Sequence, residues 1–239
     1  MSDISKAQNE FQKLQHAVRE GVFLQSRGDF DGAEKIYRSI LESIPVQHDA
    51  LHLLGILRQQ QGRLSEAREL IEKSLKSAPD AVEAHSNLGV VLHAMGEREA
   101  AVESFGKSIA LNPKDGEVHY NLATVLSELG RHEEAVESFD AALALNPEYP
   151  RALYNRGGAL TELKRFEEAL ESYDRALKHL PENVDLLNNR ANVLASLQRF
   201  DEAISGYDRA LTFEPNNAEA RQNREQAVRT RDLQKGRPN

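Results

Sequence analysis

Cysteine and tryptophan are both absent from this chain of 239 residues, and aromatic residues make up only 6% of it. Without cysteine, the protein has no disulfide bond, thiolate metal site, iron–sulfur cluster or cysteine nucleophile. No apolar run approaches the ~18 residues that a membrane-spanning helix needs. The N-terminal segment is polar and lacks the apolar stretch of a signal peptide. We therefore expect a cytoplasmic protein with no membrane partner.

Positive charge is also in short supply. The chain has 30 Lys and Arg residues against 38 Asp and Glu residues, which gives a formal net charge of −8. This balance argues against a nucleic-acid partner, because phosphate backbones attract proteins with an excess of Lys and Arg. Hydrophobic residues make up 40% of the chain, which is enough to fold around a core rather than remain disordered.

No group of residues has the spacing of a catalytic or metal site. His48 and His52 lie four residues apart, as two metal ligands on one helix face would, but the sequence assures no third ligand. Gly157 and Gly158 lack the sequence context of a phosphate-binding loop. We therefore predict that the protein is not an enzyme, with no catalytic site, no cofactor and no metal.

Most of the prolines recur at a fixed interval. Six of the eight are spaced 34 residues apart, at Pro45, Pro79, Pro113, Pro147, Pro181 and Pro215. A fixed period of this length is the signature of a repeat protein. With these prolines at position 32 of a 34-residue frame, the repeats are 14–47, 48–81, 82–115, 116–149, 150–183 and 184–217.

The ends of the chain lie outside these six repeats. Residues 1–13 are predicted to extend the first helix towards the N-terminus. Residues 218–233 look like the first helix of a further repeat with extra charge. Since a stack of repeats needs a terminal unit with a polar outer face, we predict that 218–233 is a capping helix. Residues 234–239 are predicted to be a frayed tail.

Several frame positions carry one kind of side chain in every repeat. Position 8 is Gly or Ala, position 20 is always Ala, and position 24 is Tyr, Ile or Phe. Small residues let two helices approach closely, and the large residue at position 24 fills the space beside them. Each repeat is therefore predicted to be a first helix (helix A), a short turn and a second helix (helix B).

Two positions break the regularity. Position 15, in the turn between the helices, is Gly in the first four repeats but Lys164 and Gln198 in the last two. Glycine accepts the left-handed conformation that ends many helices, so we expect these two turns to have a different geometry. At position 7, Glu20, Arg156 and Arg190 replace the Leu of the other repeats, which predicts different packing there.

The frame resembles the tetratricopeptide repeat, with its small residue at position 8, Ala at 20, aromatic at 24 and Pro at 32. The resemblance covers residues 14–217, although position 4 is never Trp and position 11 is never Tyr. It implies an all-α fold, a right-handed α-solenoid of helix-turn-helix repeats. The pattern is also similar to the tetratricopeptide superhelix of O-GlcNAc-transferase-like proteins, without their catalytic domain.

Position 6 of helix A is Asn in four consecutive repeats and again in the segment that follows them. The resemblance implies that helix A lines a concave groove, so these amides form a ladder along it. An amide offers one acceptor and two donors, which suits pairing with the peptide groups of a bound chain. The predicted groove residues are Asn87, Tyr120, Asn121, Thr124, Tyr154, Asn155, Asn188, Asn189, Asn192 and Asn223.

The sequence thus predicts a protein–protein interaction scaffold that binds an extended peptide or a partner helix in its concave groove. Two alternatives stay open at this point. The first alternative is that the chain is the substrate-recognition arm of a glycosyltransferase. The second is that it is a self-associating structural protein, which would make it a homo-oligomer. The sequence does not identify the protein or peptide ligand.

Overall fold

The computed structural model describes residues 3–235, with side chains from residue 8 onwards. In this part of the chain every regular element is an α-helix and there is no strand, so the predicted all-α helical-repeat fold is confirmed. The helices are α1 (Asp3–Ser26), α2 (Phe30–Ser43), α3 (His48–Gln60), α4 (Leu64–Ser77), α5 (Val82–Ala94), α6 (Arg98–Leu111), α7 (Gly116–Glu128), α8 (His132–Leu145), α9 (Pro150–Glu162), α10 (Phe166–Leu177), α11 (Val184–Ser196), α12 (Phe200–Phe213) and α13 (Ala218–Lys235).

The chain divides into two compact units, Met1–Pro113 and Lys114–Asn239. The first unit contains α1–α6 and the second contains α7–α13. Odd-numbered helices are A helices and even-numbered helices are B helices. Within each unit, every helix packs against the helix that precedes it and the helix that follows it in the chain. Each helix therefore buries its apolar side between near neighbours in sequence, as expected of a repeat protein.

The core of each repeat is a contact between small and large residues. All six alanines at position 20 are fully buried, and the position-24 side chains are 0–2% exposed. A Cβ added to Gly157, at position 8, would lie 2.5 Å from Cε1 of Tyr173, at position 24 of the same repeat. The predicted packing of a large ring against a small residue is therefore confirmed, and the glycine is needed for the close approach.

The predicted change of turn geometry at Lys164 and Gln198 is wrong. Both residues adopt the left-handed conformation, with φ of 58° and 60°, and Gly130 has φ of 74° in the equivalent turn. The backbone hydrogen bonds are also the same. The N–H of Lys164 donates to the carbonyl of Thr161 at 3.0 Å, and the N–H of Gly130 donates to the carbonyl of Ser127 at the same distance. The packing of helix A against helix B fixes the turn, and the backbone of Lys164 and Gln198 is held in a strained conformation.

The replacement of Leu at position 7 changes the packing at Arg156 and Arg190, as predicted, and Arg224 of α13 repeats their arrangement. Glu20, the third replacement, is exposed on α1. Arg156, Arg190 and Arg224 each form an ion pair with an Asp at position 25 of the preceding helix B, at 2.5–2.6 Å. The three aspartates are Asp140, Asp174 and Asp208. At position 7 of α9 and α11, an ion pair with the preceding helix B thus takes the place of the Leu found in the second, third and fourth repeats.

The C-terminal helix is longer than its predicted limits. Gln234 and Lys235 are helical, so the predicted frayed tail does not begin at residue 234, and its remaining residues, 236–239, lie outside the described part of the chain. Helix α13 packs against α12 and buries Ala220 and Ala227. Arg231 forms an ion pair with Asp201 of α12 at 3.1 Å. Its small apolar face and charged outer face suit the capping role predicted for it.

Candidate functional site

The asparagine column is a set of hydrogen bonds between neighbouring repeats. In the second unit, Nδ2 of Asn155 donates to the hydroxyl of Tyr120 at 3.1 Å, and Nδ2 of Asn189 donates to the hydroxyl of Tyr154 at 3.0 Å. Each tyrosine occupies position 5 of the preceding repeat, 35 residues earlier. These bonds fix the orientation of the amide and leave its oxygen and one N–H for other partners.

The first unit contains the same bond with a histidine in place of the tyrosine. Nδ2 of Asn87 lies 2.9 Å from Nε2 of His52. Burial lowers the pKa of His52, which favours the neutral ring. A neutral imidazole with the proton on Nδ1 accepts from the amide through Nε2, so this bond matches those of the second unit.

A cleft of about 300 Å³ opens beside the asparagines of the second unit. We call it the Gly158 cleft. From the A helices α7, α9 and α11, it is lined among others by Thr124, Ser127, Tyr154, Asn155, Gly158 and Asn189. From the B helices α8 and α10, it is lined by His132, Phe139 and Tyr173. Residues of three successive A helices thus line one cleft. Four of the predicted groove residues line it: Thr124, Tyr154, Asn155 and Asn189. A fifth, Tyr120, lies behind Asn155 and is hydrogen-bonded to it.

Position 9 of the fifth repeat contributes to the space of the cleft because Gly158 has no side chain. A Cβ added to Gly158 would find only the hydroxyl of Tyr173 nearby, at 3.9 Å. The neighbouring repeats have Thr124 and Asn192 at the same position. Gly158 therefore differs from Gly157 beside it, since the first leaves space open to a ligand and the second makes room for a core ring.

Aromatic rings line the cleft, and two of its lining residues have buried polar atoms without a hydrogen-bond partner. The rings of Tyr154 and Tyr173 lie 6.2 Å apart and are tilted by 50°. Burial raises the pKa of Tyr173 to about 12, so its hydroxyl stays neutral at physiological pH. Two buried polar atoms of lining residues have no hydrogen-bond partner: Oγ of Ser127 and Nδ1 of His132.

Two of the predicted groove residues are buried. Tyr120 is 9% exposed and packs against Tyr149, with ring centroids 5.0 Å apart, while its hydroxyl holds Asn155. Asn188 is 5% exposed, and its Nδ2 donates to Glu219 of α13 at 2.8 Å. Both side chains are therefore largely covered by the protein's own residues, and Tyr120 supports Asn155 from behind.

The remaining predicted residues lie elsewhere along the A helices. Asn121, on α7, is half-buried. Asn192 accepts hydrogen bonds from the hydroxyl of Tyr207 at 2.6 Å and from Nδ2 of Asn223 at 3.0 Å. Asn192 and Asn223 both line a second cleft of about 480 Å³, near the C-terminal end of the second unit. At this end of the asparagine column, the amides are therefore bonded to each other rather than to a tyrosine of the preceding repeat.

Sequence reasoning missed the residues that shape the Gly158 cleft. Phe139 and Tyr173 were assigned to the core by their frame position, and each is both a core residue and a wall. The signal available in the sequence was position 9, where Gly158 is the one glycine among the six repeats. Nothing in the sequence pattern indicates that Oγ of Ser127 and Nδ1 of His132 are buried without a hydrogen-bond partner.

The structure adds no metal centre to the site. Among the residues that the structure describes, no three His, Cys, Asp or Glu side chains are placed to hold a metal ion together. Nδ1 of His48 lies 3.2 Å from Oδ1 of Asp49, and Nε2 of His52 is hydrogen-bonded to Asn87. None of the helices within residues 3–235 combines the length and the apolarity required to cross a membrane.

Family models for the tetratricopeptide repeat match the chain over residues 46–114, 80–148, 120–178 and 163–219. Together these matches run from residue 46 to residue 219, which is more than half of the chain. The chain belongs to the tetratricopeptide-repeat family. Proteins of this family generally serve as protein–protein interaction scaffolds, and this tetratricopeptide-repeat protein has the helix-turn-helix repeats on which that role depends. No curated protein sequence matches it significantly.

Solved structures agree with this assignment. YrrB, described as a tetratricopeptide-repeat protein with an unusual peptide-binding site, is 21% identical, with a TM-score of 0.74 over 79% of this chain and 97% of YrrB. PilF of Pseudomonas aeruginosa is 21% identical, with a TM-score of 0.76 over 90% of this chain and 97% of PilF. MamA is 28% identical, with a TM-score of 0.63 over 66% of this chain and 92% of MamA. The likeness to YrrB and PilF establishes the fold alone.

Proposed function

We propose that this tetratricopeptide-repeat protein binds an extended peptide segment of a partner protein along the A helices of its second unit. The observation that carries the proposal is the arrangement of Asn155 and Asn189. Each amide is oriented by a tyrosine of the preceding repeat and lines the Gly158 cleft with an oxygen and an N–H to spare. YrrB, a structural neighbour, is described as having a peptide-binding site, which supports the proposal by analogy.

An extended peptide fits this surface better than a partner helix. A helix has already paired its own backbone N–H and C=O groups, so an amide side chain gains little from its backbone. An extended chain presents both groups unpaired, and the amide of Asn155 or Asn189 can accept from one and donate to the other. Adjacent side chains of the peptide then contact the walls of the cleft and supply sequence preference.

The test uses a phage-displayed library of random 12-residue peptides, selected on the full chain. A synthetic copy of an enriched peptide is then titrated by calorimetry into the wild-type protein and into the variant Asn155→Ala/Asn189→Ala. At about 0.5–1.5 kcal/mol for each amide, the double variant should bind about 5- to 150-fold more weakly.

The matched control is Tyr120→Phe/Tyr154→Phe. This variant breaks the same two hydrogen bonds between repeats but keeps both amides and both rings. A loss of affinity in the asparagine variant that greatly exceeds the loss in the tyrosine variant supports direct contact. Equal losses in the two variants would make the asparagines structural, and a library without any enriched peptide would contradict the proposed function.

The other interpretations stay predictions. The glycosyltransferase arm has no support beyond the repeat itself, since the matching family models and structures all rest on that repeat. Homo-oligomer formation and a cytoplasmic location likewise rest on the sequence alone. A sedimentation experiment on the purified chain measures the first directly, and a monomer would exclude self-association as its function.

A further inference from the structure

We infer that the Gly158 cleft is a subsite for a basic side chain, arginine or lysine, of the bound peptide. The inference rests on the proposed function, because it names the side chain that a peptide held by Asn155 and Asn189 inserts between them. At position 9 of the fifth repeat Gly158 leaves open space, where the adjacent repeats have Thr124 and Asn192, and Asn155 and Asn189 both line the cleft that contains this space.

The aromatic wall suits a cation. Of the three rings that line the cleft, Tyr154 is half-buried, whereas Tyr173 and Phe139 are 2% and 0% exposed. The ring of Tyr154 is therefore the one that attracts a guanidinium or ammonium group. Apolar walls of this kind also cover the aliphatic stem that arginine and lysine share. No lysine or arginine is among the described residues that line the cleft, so nothing cationic already occupies the rings.

The cleft also carries negative charge. Glu162 lines the cleft with a carboxylate, and its charge adds to burial in raising the pKa of Tyr173. Glu128 also lines the cleft, but it already interacts with another residue, so the ligand's charge is assigned to Glu162.

The carboxylate of Glu162 distinguishes a basic side chain from the alternatives. An apolar side chain gains nothing from its charge, and an acidic side chain is repelled by it. A guanidinium or ammonium group donates three or more hydrogen bonds and cancels that charge.

The first experiment blocks the cleft without disturbing the fold. Gly158 lies within α9 with open space at its Cβ position, so Gly158→Leu fills the cleft and improves helix propensity. Gly106 of α6 is the matched control, because it is also helical and a Cβ there meets nothing within 4 Å. We expect Gly158→Leu to weaken the selected peptide at least ~10-fold and Gly106→Leu to change its affinity less than ~2-fold, with neither variant melting at a lower temperature.

The second experiment tests charge. Peptides selected from the random library should share an arginine or lysine at one position, and synthetic versions with Arg, Lys, Leu or Glu there are titrated by calorimetry. We expect the basic versions to bind at least ~10-fold more tightly than the others. Glu162→Lys, at the exposed end of α9, should remove that preference, and the preference should weaken as salt is raised.

The outcomes separate this inference from the proposed function. Selected peptides that require Asn155 and Asn189 but carry no shared basic residue, or that bind Gly158→Leu normally, would overturn the basic subsite and leave peptide binding intact. A basic residue whose replacement by leucine costs no affinity would do the same. A library that yields no peptide overturns both.

Discussion

The two units are built from one repeat pattern but join their repeats with different charged contacts. In the first unit the main contact is a single buried residue: Arg58 of α3 is 1% exposed, and its guanidinium holds the carboxylate of Glu34 of α2 with two hydrogen bonds, one of them 2.8 Å. In the second unit the contact is repeated and shallow, with aspartates 47–52% exposed in the pairs between Arg156 and Asp140, Arg190 and Asp174, and Arg224 and Asp208.

The difference predicts how much stability each unit loses when one of its ion pairs between repeats is broken. A buried guanidinium depends on its carboxylate, because removing that partner leaves a desolvated charge with less compensation. Without Glu34, Arg58 would keep the hydrogen bond to Gln61 at 2.7 Å and the longer ion pair with Glu66 at 3.5 Å. Exposed pairs lose little when they are broken, because water replaces the partner. The first unit therefore has one deeply buried ion pair between repeats, Glu34 with Arg58, and a more exposed one, Arg68 with Glu97. The second unit has three pairs with exposed aspartates at three interfaces.

The largest effect is expected from the buried pair. Glu34→Gln should lower the free energy of unfolding by about 2–3 kcal/mol, since glutamine keeps a weaker hydrogen bond but removes the charge that Arg58 needs. Asp174→Asn makes the same chemical change in an exposed pair and should cost less than about 1 kcal/mol. Urea titration measures both values, and hydrogen exchange of the α2 and α3 amides locates the first. Equal costs for the two variants would remove the distinction between the units.

Acid should expose the same weakness in the wild-type chain. The hydrogen bond from Arg58, followed by that from Arg38, lowers the pKa of Glu34 from 4.5 to about 2. Between these values the unfolded chain binds more protons than the folded one, so the stabilisation by Glu34 is complete above pH 4.5 and is lost as the pH falls towards 2.

The measurement is urea unfolding at a series of pH values for the wild type and Glu34→Gln. The two curves should converge on acidification, because the variant has nothing to lose at this position. A constant difference between the curves down to the lowest pH would show that the charge of Glu34 is not what stabilises the first unit.

The smallest effect is expected in the turns, and it has the opposite sign. Every A–B turn of the first unit has a glycine in the left-handed conformation, whereas the second unit places Lys164 and Gln198 there. Lys164→Gly and Gln198→Gly should each raise the free energy of unfolding by about 0.5–1 kcal/mol, because they release backbone strain and the entropy of an unfolded glycine offsets part of the gain.

Thermal unfolding of the single and double variants measures this gain. Gly130→Lys, in the remaining glycine turn of the second unit, is the reciprocal control and should destabilise by a similar amount. Unchanged or lower stability in Lys164→Gly would mean that the lysine side chain compensates for its backbone conformation.

Much of the fold was predictable because each repeat is a local structure. The alanine column at position 20 and the large residues at position 24 specify which faces are buried, and the structure buries them completely. The error at Lys164 and Gln198 has a physical cause: intrinsic preference disfavours their conformation by about 1–2 kcal/mol, and the packing of two helices outweighs it. The sequence shows which residues occupy the turn, but it does not show that the energy of helix packing exceeds the cost of the left-handed conformation.

The candidate site was predictable only in part. The asparagine column is visible in the sequence, but Asn155 and Asn189 bond to tyrosines 35 residues away, and that pairing follows from how helices stack. The same holds for Asn188, which shares the chemistry of its neighbour Asn189 but faces Glu219 inside the second unit. One residue along a helix turns a side chain by about 100°, so adjacent asparagines face different surroundings.

What the sequence alone determined was the repeat: its 34-residue period, its two helices and the small and large residues that pack them. These features are local, because each helix meets its neighbours in the chain and hydrophobic periodicity records which face it buries. Only the tertiary structure decided that Gly158 opens a cleft while Gly157 closes a core contact, and that Ser127 and His132 leave buried polar atoms beside it. Space and unsatisfied hydrogen bonds depend on where several helices meet, and no single stretch of sequence contains that information.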